Sequence, residues 1–383
     1  MSRRAIGLIG YGSSVYEKGA GRPEFAFLAD AAREALTSAG LAKTEIDGLA
    51  TSSTTLAPDN AVTAAEYLGL TLSWAYVSTA GGAGGLASVL NAVRAVEAGH
   101  ATHVLCLAGG AQDSGVFKER IARFTGALAD YVTPHGSGGL NGLFGIIQRK
   151  HMERYGTRRE ELGRIAVDQR ANAGRNDRAL LRVPMTIDDY LKAPIVADPL
   201  RLYDCVMPCS GAEAVVVGPL DRVPPDKRVR ILAGYERHNH PVGEIAPLHG
   251  GWELYRDALF HEAGVGPQDM DFVQAYDDYP IMVAIQLEDH GFCEKGRVGA
   301  FLAANTMTWE GSLPLNTGGG QLSCGQSGGG GGMIGLVEAV RQLRCEAADR
   351  QVAGAVHGLV SGYGMVSYGH GLSASSLIVG RAT

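Results

Sequence analysis

Charge is scarce in this sequence: 34 Lys and Arg stand against 40 Asp and Glu in 383 residues, a charged share of 19% and a net charge of −6. No Lys/Arg-rich stripe is available to neutralise a phosphate backbone, which argues against a nucleic-acid partner. Aromatic residues make up only 7%. No run of about 18 apolar residues occurs, so no membrane span is expected. The opening MSRRAIGLIGYG has too short an apolar stretch for a targeting segment. Cysteine is sparse and scattered (Cys106, Cys205, Cys209, Cys293, Cys324, Cys345), which suits a reducing cytoplasm rather than a disulfide framework. Cys205 and Cys209 have no second pair at ligand spacing, and His238 with His240 lacks further ligands. No metal site is therefore expected.

Glycine, by contrast, is abundant: 54 residues, about twice the usual share. With 45% apolar residues the chain has enough interior for a substantial core, and disorder is excluded. Short apolar runs alternate with helical patterns. Ala5–Gly10 reads as a strand, Ala26–Ala39 as an amphipathic helix stopped by Gly40, and Gly48–Ala50 as a strand. Gly85–Glu97 reads as a helix and His103–Leu107 as a buried strand. Such alternation predicts a layered α/β fold.

The order then repeats. ALTSAGLAKTEIDGLAT from Ala35 resembles ALFHEAGVGPQDMDFVQA from Ala258, with Asp47 against Asp271. GGLASVLNAVRA from Gly84 resembles GGMIGLVEAVRQ from Gly331, an offset of 247. The expected organisation is a duplicated domain. An N-terminal half covers residues 1–220, with an insertion at about 110–200, and a C-terminal half covers 225–383. The halves are expected to meet face to face as one pseudo-symmetric body.

Three glycine clusters lie at strand-to-helix junctions: Ser78–Gly85, Gly136–Gly142 and Asn316–Gly332. None is a dinucleotide fingerprint or a P-loop. Free N–H groups at helix starts can hold an anion or oxyanion. At the 247 offset Thr79 corresponds to Gln326, so two equivalent helix starts could enclose one pocket between the first and third clusters. Close helix packing at a dyad would demand the same glycines.

The chain resembles the thiolase superfamily, in its sterol-carrier/lipid-transfer branch. The markers are the duplicated halves, DPLRLYDCVMPCSGAEAVVVG from Asp198, YDDYPIMVAIQLEDHGFCEKG from Tyr276 and LPLNTGGGQLSCGQSGG from Leu313. The resemblance implies a layered αβαβα fold of two βαβαβ halves and a homodimer. It also shows what is missing. Where condensing thiolases carry the nucleophilic cysteine, this chain has Thr79, and where they carry the Gly-His-Pro histidine it has Gln326. A threonine facing a glutamine offers neither thiolate nor base, so Claisen chemistry is not expected there. Cys324 keeps an acyltransferase reading open, as the missing nucleophile does for a non-catalytic acyl-CoA-binding subunit.

Within that branch the pattern resembles the steroid side-chain aldolases, which lack the cysteine and work with a small OB-fold/zinc-ribbon partner. Tyr276 matches the tyrosine of their Tyr-Asp-x-Phe block, and His135 lies in a matching Pro-His-Gly; their second tyrosine is Gln326 here. The implied activity is retro-aldol cleavage of a β-hydroxyacyl-CoA, with CoA entering as part of the substrate and no tightly bound cofactor. Tyr276 would be the acid/base, with Asp277 polarising it or solvated. Backbone N–H groups near Gly81 and Gly82, or Gly318, Gly319 and Gly320, would form the oxyanion hole. Gln326 would orient the thioester, and His135 would serve as a base or substrate contact.

Overall fold

The computed structural model describes residues 5–19, 21–113, 115, 117–119, 125–136, 139–367 and 369–381. Nine strands form one sheet in the order β3-β2-β4-β7-β1-β8-β11-β10-β9. The N-terminal half supplies β1 (Ile6–Ser13), β2 (Gly48–Ser53), β3 (Trp74–Ser78), β4 (Val104–Gly110) and β7 (Gly211–Pro219). The C-terminal half supplies β8 (Val229–His238), β9 (Phe272–Gln274), β10 (His357–Ser367) and β11 (His370–Arg381). A separate ribbon, β5 (Ile195–Ala197) with β6 (Leu200–Arg201), lies in the insertion. Among the described residues no helix is long and apolar enough to cross a membrane.

The layers follow from strand periodicity, because successive side chains point to opposite faces. Ile9, Leu105, Leu107 and Val216 face an outer core with Phe27 and Leu28 of α1 (Glu24–Ala39) and Ala64 of α2 (Ala61–Leu68). Their neighbours Leu8, Val104, Cys106, Val215 and Val217 face the opposite way, into a central core with Leu86 and Val89 of α3 (Gly84–Glu97). The C-terminal strands send Val360, Leu377 and Val379 into that same central core, beside Leu336 and Val340 of α8 (Ile334–Leu343). Leu359, Ala374 and Ile378 turn outward. They meet α6 (Trp252–Ala263) and α7 (Pro280–Asp289), with α4 (Gly139–Tyr155) and α5 (Arg159–Gly174) of the insertion completing that core. Helix, strand, helix, strand, helix: this is the expected αβαβα order.

The face-to-face contact of the halves runs through α3 and α8. The strands also join edge to edge, where Gly7 pairs with Arg230 and Leu8 with Val229. Stacking alone was expected; the start of β1 carries backbone groups that need partners, and β8 supplies them.

The repeat is visible at atomic level. Gly40 and Gly264 end their helices in the left-handed region, at φ 62° and 71°, as helix-stopping glycines do. Asp47 accepts from the backbone N–H of Thr102 and His103 just ahead of β4. Asp271 accepts from Val356 and His357 at the start of β10. Each aspartate therefore holds the first backbone donors of its own parallel neighbour strand.

Candidate active site

The first and third glycine clusters meet backbone to backbone. A Cβ on Gly332 would lie 2.4 Å from the Gly82 carbonyl oxygen, and one on Gly85 would lie 2.5 Å from the Gly332 carbonyl oxygen. Only hydrogen fits there, so α3 and α8 approach at a distance that side chains would forbid.

Tyr276 is wedged into this junction. It follows β9 directly and is buried. A Cβ on Gly82 would fall 2.2 Å from its Cζ and 2.3 Å from its hydroxyl oxygen. Gln326 Nε2 donates to that hydroxyl at 3.4 Å and to Gln321 Oε1 at 3.2 Å. The phenol therefore accepts from the glutamine, which leaves its own proton to be given elsewhere. Burial, and then the charges of Asp278 and Asp277, hold the phenol well above its ordinary range. It stays protonated.

The two aspartates beside it differ. Asp277 Oδ1 and Oδ2 accept from Gln321 N and Leu322 N, capping the short helix Gly320–Cys324. Burial pushes its pKa up to about 7. Asp277 thus positions the third cluster; it is buried rather than solvated, and its charge also bears on the Tyr276 phenol. Asp278 is buried with Oδ1 unpaired among the described residues. Burial and the neighbouring Asp277 raise it well above the carboxylate range. Sequence reasoning passed over Asp278; the signal was a second acid in an otherwise apolar block.

The remaining expected residues separate. Cys324 lines the cavity, but its Sγ donates to the Gly318 carbonyl at 3.1 Å, Asn176 Nδ2 donates to the sulfur at 3.5 Å, and burial raises the thiol. Neither of these hydrogen bonds joins the thiol to a basic side chain, and the carboxylates of Asp277, Glu338 and Glu213 nearby raise it further. Thr79 is exposed at the end of edge strand β3. The chain turns inward only at Gly81, whose φ is +57°, so Gly82 rather than Thr79 faces the tyrosine. His135 is exposed in the turn Thr133–His135 and makes no side-chain hydrogen bond among the described residues. The insertion reaches the site elsewhere: Asn141 accepts from the Tyr279 hydroxyl at 2.6 Å, and Phe144 stacks on that ring at 4.3 Å. Asn172 and Asn176 donate to the carbonyls of Leu315 and Gly318, both at 2.9 Å. Gly318 and Gly320 line the cavity and Gly319 (φ +102°) packs on Ala173.

Tyr276 lines a cavity of about 30 Å³ together with Gly331, Gly332, Cys324, Ser13, Tyr16 and Glu213. That is room for about two waters. Glu213 accepts from Ser13 Oγ at 2.6 Å and from the Tyr16 hydroxyl at 2.9 Å, and burial pushes its pKa up to about 7. This acid was also missed, although a glutamate interrupting Gly211–Gly218 is a conspicuous break in an apolar strand.

Two substitutions test this geometry. Gly82→Ala puts a methyl into the Tyr276 ring, and turnover is expected to fall about 100-fold through misplacement of the phenol. A steady-state assay with a circular dichroism control checks it. Cys324→Ser should leave turnover within about twofold, and intact-mass measurement after exposure to acyl-CoA should show no adduct on either protein.

A duplicated αβαβα body with Gly-lined helix starts around a buried reaction centre is the architecture of the thiolase superfamily. Residues 256–381 match the model of the thiolase C-terminal domain-like family. The chain is 31% identical over 393 aligned positions to the 17-hydroxy-3-oxo-4-pregnene-20-carboxyl-CoA lyase of Mycobacterium tuberculosis, covering 97% of this chain and 98% of that one. It is 28% identical to the steroid side-chain-cleaving aldolase of Thermomonospora curvata, over 98% of both chains. Among solved structures, the Ltp2-ChsH2(DUF35) aldolase superposes with a TM-score of 0.85 at 28% identity, covering 99% of this chain and 98% of that one. The chain belongs to the thiolase-fold CoA lyase (aldolase) family that these proteins represent.

Proposed function

We propose that this protein cleaves a carbon–carbon bond of a β-hydroxyacyl-CoA of lipid or steroid side-chain type by a retro-aldol reaction. The observation that carries the reading is Tyr276, a buried and protonated phenol that accepts from Gln326 and is pressed against Gly82 between two helix starts.

Retro-aldol cleavage removes the β-hydroxyl proton, breaks the Cα–Cβ bond, releases a carbonyl compound and leaves the enolate of an acyl-CoA. Asp278, buried and unpaired at Oδ1, takes the hydroxyl proton in its ionised form; burial and Asp277 raise its pKa, so that carboxylate is a stronger base than an exposed one. Backbone N–H groups of the first and third clusters stabilise the enolate oxygen. Tyr276 then protonates the enolate. Gln326, only half-buried, marks the side on which the thioester arrives and orients it. CoA enters as part of the substrate, and the chemistry requires no tightly bound cofactor.

Two partners accompany this reading. The DUF35 component of the similar solved aldolase supports a small OB-fold/zinc-ribbon partner here. The edge strand β3, with Val77 43% exposed, supports a homodimer, since an unpaired edge invites strand or helix cover. A cytoplasmic location fits the six free cysteines. The deciding experiment compares wild type with Tyr276→Phe on a panel of β-hydroxyacyl-CoA esters, with the partner protein co-expressed.

A further inference from the structure

Three side chains that this chemistry does not use converge on the far side of α6. His240 lies in the loop after β8, His249 just ahead of α6, and Glu253 in its first turn. His240 Nε2 and His249 Nδ1 approach the same Glu253 Oε1, at 2.9 and 2.5 Å. The two rings stand 5.5 Å apart at 68°, and one ligand atom from each of the three residues lies within 4.8 Å of the others. Two imidazoles and a carboxylate form a donor set suited to a borderline divalent transition ion.

Two further observations point to an ion rather than to a hydrogen-bonded trio. The outer nitrogen of His249, Nε2, stands 3.3 Å from Glu244 Oε2, and Lys150 Nζ holds Glu244 Oε1 at 3.2 Å. A carboxylate behind an imidazole in this way fixes the orientation of a metal-ligating histidine. His370, the first residue of β11, is buried with both ring nitrogens unpaired among the described residues. Its chain neighbour Gly369 accepts from Ala246 N at 2.9 Å, so a buried imidazole lacking a partner lies beside the loop that carries the cluster.

We infer that His240, His249 and Glu253 bind a zinc-class divalent cation. Bonds of about 2.1 Å in a tetrahedral site hold donors roughly 3.4 Å apart, so Glu253 needs to withdraw by less than about 1 Å. The ion would tie the 239–251 loop to α6, and that loop already meets the turn between β10 and β11, where Ala246 N donates to the Gly369 carbonyl at 2.9 Å. Sequence spacing set His238 beside His240 without a further ligand, and no metal site was expected from it. In the fold, His238 turns instead to Ser373, at 3.1 Å, and His249 takes its place.

The test is equilibrium dialysis of chelator-treated protein against zinc alone, followed by metal analysis. One zinc per chain is expected for wild type and for His238→Ala. His249→Ala and Glu253→Gln, each with an unchanged circular dichroism spectrum, should bind at least about tenfold more weakly. Zinc should also slow amide exchange in the 239–251 loop of wild type and not of either variant. Should one variant fail to fold, the other with His240→Ala decides. Absence of stoichiometric zinc in wild type overturns the site, as does zinc retained by the folded variants or lost only when Cys205 and Cys209 are replaced.

Discussion

Tyr276→Phe is expected to lower kcat/KM by about 100- to 10,000-fold while the affinity for a CoA ester stays within about threefold. The substitution deletes one hydroxyl that accepts from Gln326 at 3.4 Å, a long hydrogen bond on which little ground-state structure depends. Its loss removes proton delivery to the enolate, a step whose general-acid contribution has that size. A thousandfold loss corresponds to about 4 kcal/mol of transition-state stabilisation. Asp278→Asn should cost a comparable factor by removing the base, whereas Gln326→Ala should cost less because the phenol keeps its proton. The check is single-turnover cleavage of a β-hydroxyacyl-CoA, with ester affinity measured separately by calorimetry. Unchanged turnover in Tyr276→Phe would remove the phenol from the mechanism. Loss of ester binding with loss of turnover would make it a packing residue of the pocket.

The layers were legible in the sequence because each depends on local pattern: strand alternation, helix-stopping glycines and a repeat long enough to align. The meeting of the first and third clusters was legible too, since duplicated helix starts must face each other across a dyad. Thr79 was misplaced because the register of a glycine-rich turn cannot be read from spacing. The positive φ at Gly81 swings the chain by a residue or two, and Gly82 arrives where a side chain was expected. The roles of Asp277 and Asp278 depend on which of two adjacent acids finds backbone donors, and those donors lie more than forty residues away. Glu213 shares that difficulty, because tertiary folding alone brings Ser13 and Tyr16 to it.

The third cluster is itself held by a buried charge network, and that network should dominate stability. Glu338 of α8 receives Arg350 through two parallel hydrogen bonds, Nε to Oε1 and Nη2 to Oε2, both 3.0 Å, and Arg341 Nη1 at 2.7 Å. Thr317 Oγ1 donates to the same carboxylate at 3.0 Å, and Gly318 rests on its side chain. Although burial works to raise its pKa, Arg350 and Arg341 bring it down to about 2. Glu338→Gln keeps the shape and leaves the buried Arg350 and the nearly buried Arg341 without a counter-charge, a loss expected to cost about 3–5 kcal/mol. The linkage agrees in size: a folded pKa near 2 against an unfolded value near 4.5 is worth on the order of 3 kcal/mol. Because the folded pKa is depressed, this contribution is present in full above about pH 4.5 and is lost as pH falls toward 2. Urea unfolding at pH 7 should therefore show a lower midpoint for Glu338→Gln, and the gap to wild type should close as pH is lowered through that window. Glu338→Gln combined with Arg350→Met should recover part of the loss, since the most tightly paired stranded cation is then gone. A midpoint for Glu338→Gln equal to that of wild type at pH 7 would mean that water reaches the two arginines, and that the glycine cluster beside Tyr276 is held by Asn172 of α5 and by Asn176 just beyond it instead.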